Sequence, residues 1–139
     1  MTQPHDVEFA SEQYQKWLVA LKDEAMLATL NQAQAMMRGV MEELRDSVSD
    51  EDALAIANTL PALARGIMLE GWRLGGEKHV IASPDHFHRR LVSRLEPHQP
   101  PPDGLAAAVF AVWRKALPPE KARAVLERLP AALRSLWPA

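Results

Sequence analysis

The densest group of reactive side chains is Asp85-His86-Phe87-His88, with His79 a few residues upstream. Two imidazoles and a carboxylate are the ingredients of a metal site or of a proton relay. Their spacing speaks against metal, because residues two apart on a helix point to opposite sides. His86 also falls at a helix start, where the positive dipole end disfavours a cation. No Glu-x-x-His pair accompanies it. The histidines are therefore expected in solvent, without a metal. Glu42-Glu43 and Asp50-Glu51-Asp52 place carboxylates side by side, but acid–base catalysis needs carboxylates that converge in a cleft. The chain has no cysteine, which excludes a thiol nucleophile, a thiolate metal site and a disulfide. It has no Gly-x-Ser-x-Gly elbow, phosphate-binding loop or dinucleotide fingerprint. Gly75-Gly76 lacks the strand before it and the helix immediately after it. No catalytic residue and no cofactor are expected, and the chain reads as a non-enzyme.

Basic side chains offer binding chemistry instead. With Phe87, Leu91, Val92 and Leu95 turned inward, Arg89, Arg90 and Arg94 are left outward. His86, Arg90 and Arg94 form a four-residue stripe that could sit on phosphates, with Lys78 beside it. The overall pI near 6.2 is not that of a strongly basic nucleic-acid domain, so a nucleic-acid partner is the alternative reading. Trp72, between Gly71 and Arg73 in a loop, is the tryptophan expected as an exposed contact. The candidate interaction residues are thus Trp72, Arg73, Lys78, Arg89, Arg90 and Arg94. Met36, Met37, Met41 and Met68 fit a core or an adaptable groove, and the core is preferred. Pro97-x-x-Pro100 fits either an aromatic groove or a rigid linker.

The elements that must position these residues follow from a repeat. Leu60-Pro61-Ala62 recurs as Leu129-Pro130-Ala131, a shift of 69 residues. The same shift pairs Val40 with Val109, Ala53 with Ala122 and Ala55 with Ala124, and keeps apolar residues in register from 36 to 70. It also carries Arg45, Glu51 and Arg65 onto Arg114, Glu120 and Arg134. Charges retained in both units are expected as structural ion pairs bridging helices, with Glu51 holding an arginine.

Within each unit the apolar spacing is helical. Leu30, Ala33, Met37, Val40, Met41, Leu44 and Val48 step by threes and fours, and Ala106, Val109, Phe110, Trp113 and Leu117 repeat that stripe. Ser49 before three acids and Ser83-Pro84-Asp85 are helix starts. Pro61 and Pro130 mark breaks, each opening a short helix. Gly71 to Ala82 reads as a loop, briefly extended at Lys78 to Ala82, and Pro97 to Asp103, with four prolines, as a stiff connector. The fold class is all-α: a single-domain bundle of about eight helices made of two tandem, pseudo-symmetric repeats. The repeats span about 6–71 and 82–138 and are joined by the Gly-containing loop 71–82.

Leu60-Pro61-Ala62-Leu63-Ala64-Arg65-Gly66-Ile67-Met68-Leu69-Glu70-Gly71-Trp72 resembles the signature of a bacterial family of domains of unknown function, DUF2267. A second Leu129-Pro130 with Leu136-Trp137-Pro138 extends the likeness from about Asp6 to the C-terminus. Met68-Leu69 stands where that family leads one to expect an aromatic pair. The resemblance implies a duplicated helical fold, and neither a substrate nor a partner.

At 139 residues, 47% apolar and 24% charged, the chain has the composition of one globular domain. Met1 to Ala10 has no apolar stretch of the kind a signal peptide needs. The longest apolar run, Leu105 to Trp113, is too short to cross a bilayer. A cytoplasmic location and no membrane partner are expected. Residues 1–71 carry twelve acids against five bases, and residues 72–139 carry six against eleven. These opposite charges either cancel between the halves or attract a partner or a second copy. The function expected is a non-enzymatic helical protein-interaction or regulatory module.

Overall fold

The computed structural model describes residues 4–97 and 99–139; Met1 to Gln3, and His98 of the proline connector, lie outside them. The described residues form seven α-helices and one 3-10 helix, with no strand. They are α1 (His5–Glu24), α2 (Leu30–Arg45), α3 (Asp50–Thr59), α4 (Ala62–Leu69), α5 (Pro84–Arg94), α6 (Leu105–Ala116), α7 (Pro119–Arg128) and the 3-10 helix (Ala131–Leu136). No helix among them is long and apolar enough to cross a membrane.

Side-chain caps set several of the starts. The Thr29 hydroxyl accepts from the Gln32 amide at 3.1 Å, while Gln32 Oε1 accepts from the Ala28 amide at 2.9 Å. α5 uses the same reciprocal device: Ser83 accepts from the His86 amide and His86 Nδ1 accepts from the Ala82 amide, both at 3.0 Å. Ser49 caps α3 through the Asp52 amide, with three acids in the first turn. Ser83→Ala is expected to lower stability by about 1 kcal/mol, read as a lower urea midpoint at an unchanged slope. Pro61 and Pro130 stand one residue before their short helices, and Leu60 and Leu129 before them are extended. A residue preceding proline is pushed out of the helical region, which ends α3 and α7 there.

α2 and α6 each contribute more buried apolar residues than any other helix. α2 packs against α1, α3, α4, α5 and α6, and Met36, Met37, Met41 and Met68 are all fully buried. α6 contributes Val109, Phe110 and Trp113, with Phe110 tilted against Trp113 at 5.9 Å and against Trp137 at 5.7 Å. Phe87 and Leu91 of α5 are fully buried, and Leu95 presses on Gly39 of α2. A Cβ at Gly39 would come within 2.9 Å of Leu95 Cδ2, so glycine allows the close approach. Tyr14 of α1 is buried and donates to Gln34 Oε1 at 2.5 Å. Burial pushes its phenol up to about 12, against the smaller opposing effects of Arg38 and Gln34.

Residues 71–82 contain no helix or strand, and the extension read for Lys78 to Ala82 forms no ladder. Gly71 and Gly75 take positive φ of 75° and 73°, a region that favours glycine. The loop is tied to the α2–α3 turn, where Gly75 N donates to Asp50 at 2.8 Å and His79 N donates to the Asp46 carbonyl at 2.7 Å.

Candidate functional site

The most concentrated chemistry lies where α2, the 71–82 loop and α5 meet. Glu43 is the center, with only 1% of its surface exposed. Its Oε2 lies 2.6 Å from His79 Nδ1, 3.0 Å from Arg90 Nε and 3.0 Å from the Ser47 hydroxyl. Its Oε1 accepts from Arg94 Nε at 3.3 Å and Nη2 at 3.2 Å. Arg94 also reaches Asp46 at 2.8 Å, with Glu42 further off at 3.7 Å. Burial opposes the Glu43 charge, but His79, Arg94 and Arg90 outweigh it and hold the carboxyl below its ordinary value. For Arg94 burial works against the cation, and Glu43 and Asp46 overcome it, raising its pKa.

Arg90 fixes the state of His79. Its Nη2 lies 2.9 Å from His79 Nε2, and a guanidinium can only donate. Nε2 therefore holds the lone pair, and Nδ1–H donates to Glu43. A carboxylate behind an imidazole is half of a proton relay, but here the outer nitrogen faces Arg90 instead of a reactant. The cluster works as a clamp that joins α5 and the loop to α2.

This corrects several expectations. Arg90 and Arg94 do not form a free stripe on an exposed helix face: both are partly buried on Glu43. His79 is likewise engaged. His86 caps its own helix, and His88 stands 3.7 Å from Asp103. Arg89 is exposed and pairs with Asp85 one turn before it. Lys78 bridges to Asp50 at 2.5 Å and stands 5.6 Å over the Trp72 ring. Trp72 is half-buried against the core and not an exposed contact, whereas Arg73 is exposed.

The predicted ion pairs also form differently. Arg45 Nη1 donates to the Met68 and Glu70 carbonyls, both at 2.7 Å. Arg65 donates to the Ala57 and Leu60 carbonyls, and Arg134 to that of Glu127. A helix end leaves carbonyls without partners, and an arginine beside it satisfies them better than a solvated glutamate would pair with it. Glu51 is exposed, 4.0 Å from Arg128, which instead holds Asp52 at 2.8 Å. Arg114 and Glu120 are exposed and form no ion pair among the described residues.

The charge division between the halves finds its use here. Arg90 and Arg94 on Glu43, Lys78 on Asp50 and Arg128 on Asp52 each join a base after residue 71 to an acid before it. Among the described residues no three His, Asp or Glu side chains are grouped as a metal would need.

The second feature is a groove of about 580 Å³ between α1 and α6. Trp17, Ala20, Ala111, Val112 and Ala116 line its apolar part, with Lys16, Lys115, Asp23 and Glu24 among the polar groups around it. Glu24 also borders Gly104 and Ala108 at the start of α6, so the two helices run antiparallel. One end of the groove is therefore basic, with Lys16 and Lys115, and the other acidic, with Asp23 and Glu24.

An all-helical bundle, clamped by a closed polar cluster and bearing an open groove with an apolar floor, is the class of protein defined here. The chain belongs to the family described as an uncharacterized conserved protein, DUF2267, whose profile matches residues 14–136. No curated protein matches it.

Proposed function

We propose that this chain is a non-enzymatic helical interaction module, cytoplasmic and of bacterial type, built as two pseudo-symmetric repeats in a single domain. It binds a helical segment of a protein partner in the α1–α6 groove. The groove carries this reading: it is open and apolar at its floor, and its charged ends differ in sign. An amphipathic helix lays its apolar face into such a surface and sets its charges against the ends. The closed Glu43 cluster adds support, because its charged groups face one another and not a bound molecule.

The repeat reading draws on the element boundaries. α3 and α7 begin and end 69 residues apart. Part of the packing also exchanges: α1 on α6 corresponds to α5 on α2, α1 on α4 to α5 on the 3-10 helix, and α2 on α3 to α6 on α7, whereas α1 on α2 and α3 on α4 have no counterpart of like extent. α2 with α6 and α3 with α7 then meet across the pseudo-axis. The nucleic-acid alternative draws less, since its two central arginines are held by Glu43.

A photo-crosslinking side chain in place of Ala111 tests the reading in growing cells. One adduct of defined mass is expected, and Ala20→Arg should cut its yield at least about tenfold by filling and charging the floor. The same probe in place of exposed Arg123 is the control. Equal labelling at both positions, or no adduct at Ala111, would overturn the groove as a binding surface.

A further inference from the structure

Helix α1 is longer than the bundle it packs on. Its inward stripe of Tyr14, Trp17 and Leu21 is buried, yet the same three-and-four spacing continues backwards through Ala10 to Val7. Every residue from His5 to Phe9 is exposed. Val7 is 50% exposed and Phe9 64%, and nothing among the described residues covers either one. Phe9 lies on the groove side of α1, continuing the row Gln13, Lys16, Ala20 by one more turn. The overhang thus presents Phe9 just beyond the basic end of the groove, with Val7 on the opposite side of the helix.

From this we infer that the groove's occupant is the overhang of a second copy of the same chain, giving a two-fold dimer with the α1 helices antiparallel. The inference rests on the groove being the binding surface and names what fills it. Charge favours this occupant. Glu12, in the turn after the overhang, is acidic, while the groove end it meets carries Lys16 and Lys115. His5 at the tip of the helix falls towards Asp23 and Glu24, together with Asp6. An antiparallel approach sets Glu12 of each copy by Lys16 and Lys115 of the other. It carries each Phe9 to the Ala20 and Ala111 floor of the other copy, covering the more exposed of the two apolar groups. Such an interface is self-complementary, so two copies satisfy each other and the assembly closes. The groove's small floor residues, Ala20, Ala111 and Ala116, leave room for a phenyl ring.

The test uses the full chain, which has no native cysteine to interfere. Sedimentation equilibrium should show a dimer that weakens as salt rises. Phe9→Asp should raise the dissociation constant at least about tenfold, with thermal unfolding of the dissociated chain unchanged because Phe9 is exposed. Mixing single variants F9C and A20C should give a mixed disulfide under mild oxidation, in clear excess over F9C mixed with R123C. A monomer at every concentration and salt, or no excess of that disulfide, overturns the second copy as occupant. A defined heterologous adduct from the Ala111 probe would still stand for the groove in that case. Loss of that adduct together with a persisting dimer would place the dimer interface elsewhere and overturn both.

Discussion

Glu43→Gln is expected to remove about 3 kcal/mol of folding stability at neutral pH, the low end of what breaking a buried ion pair costs. The lower end applies because Arg90 and Arg94 keep partial access to water. Glutamine matches the volume but brings no charge. Arg90, Arg94 and His79 then share a neutral amide where they shared a carboxylate. The pH dependence has a definite sign. The folded Glu43 pKa lies below its unfolded value, so its contribution is complete above the unfolded value and disappears as pH falls through the folded one. The stability gap between the native protein and Glu43→Gln should therefore be widest near neutrality and close in acid. Urea midpoints at neutral and acidic pH read this directly. A gap of the same size at both would show that Glu43 does not act through its charge.

Phe87→Ala is expected to be at least as damaging, about 3–5 kcal/mol. Phe87 is fully buried and, with Leu91 and Leu95, anchors α5. Removing the ring leaves a void that the close Gly39–Leu95 contact limits α5 in filling. Amide exchange should rise most across α5 and residues 71–82, since the Glu43 clamp links those segments. A loss below about 1 kcal/mol, or exchange rising evenly over all helices, would mean that α5 is not held this way.

Apolar spacing was enough to find the helices, because burying one face leaves a period that local chemistry cannot hide. The Ser49 and Ser83 starts and the proline breaks were legible for the same local reason. Glu43 was not. It falls on a row with Met36, Val40 and Ser47, at the edge of the buried face of α2, and that placement was the available signal. Apart from Ser47, its partners His79, Arg90 and Arg94 lie 36 to 51 residues away, so only the packing of α5 and the 71–82 loop on α2 turns an apparent surface pair of acids into an anchored carboxylate. Arg45, Arg65 and Arg134 misled for a related reason. Their recurrence was visible, but the carbonyls they satisfy are backbone atoms and leave no trace in residue types. Thr29-x-x-Gln32 was a readable start signal that the apolar stripe overshadowed.

Tyr14 is the single tyrosine in the chain, and its place on the buried face of α1 gives the molecule an internal optical gauge. While α1 stays docked, the phenolate band in the near ultraviolet is delayed until about pH 12. Once the helix lifts away, the same ring ionises near the free value of about 10. Between those two values, absorbance registers whether one particular helix is seated, with no added dye.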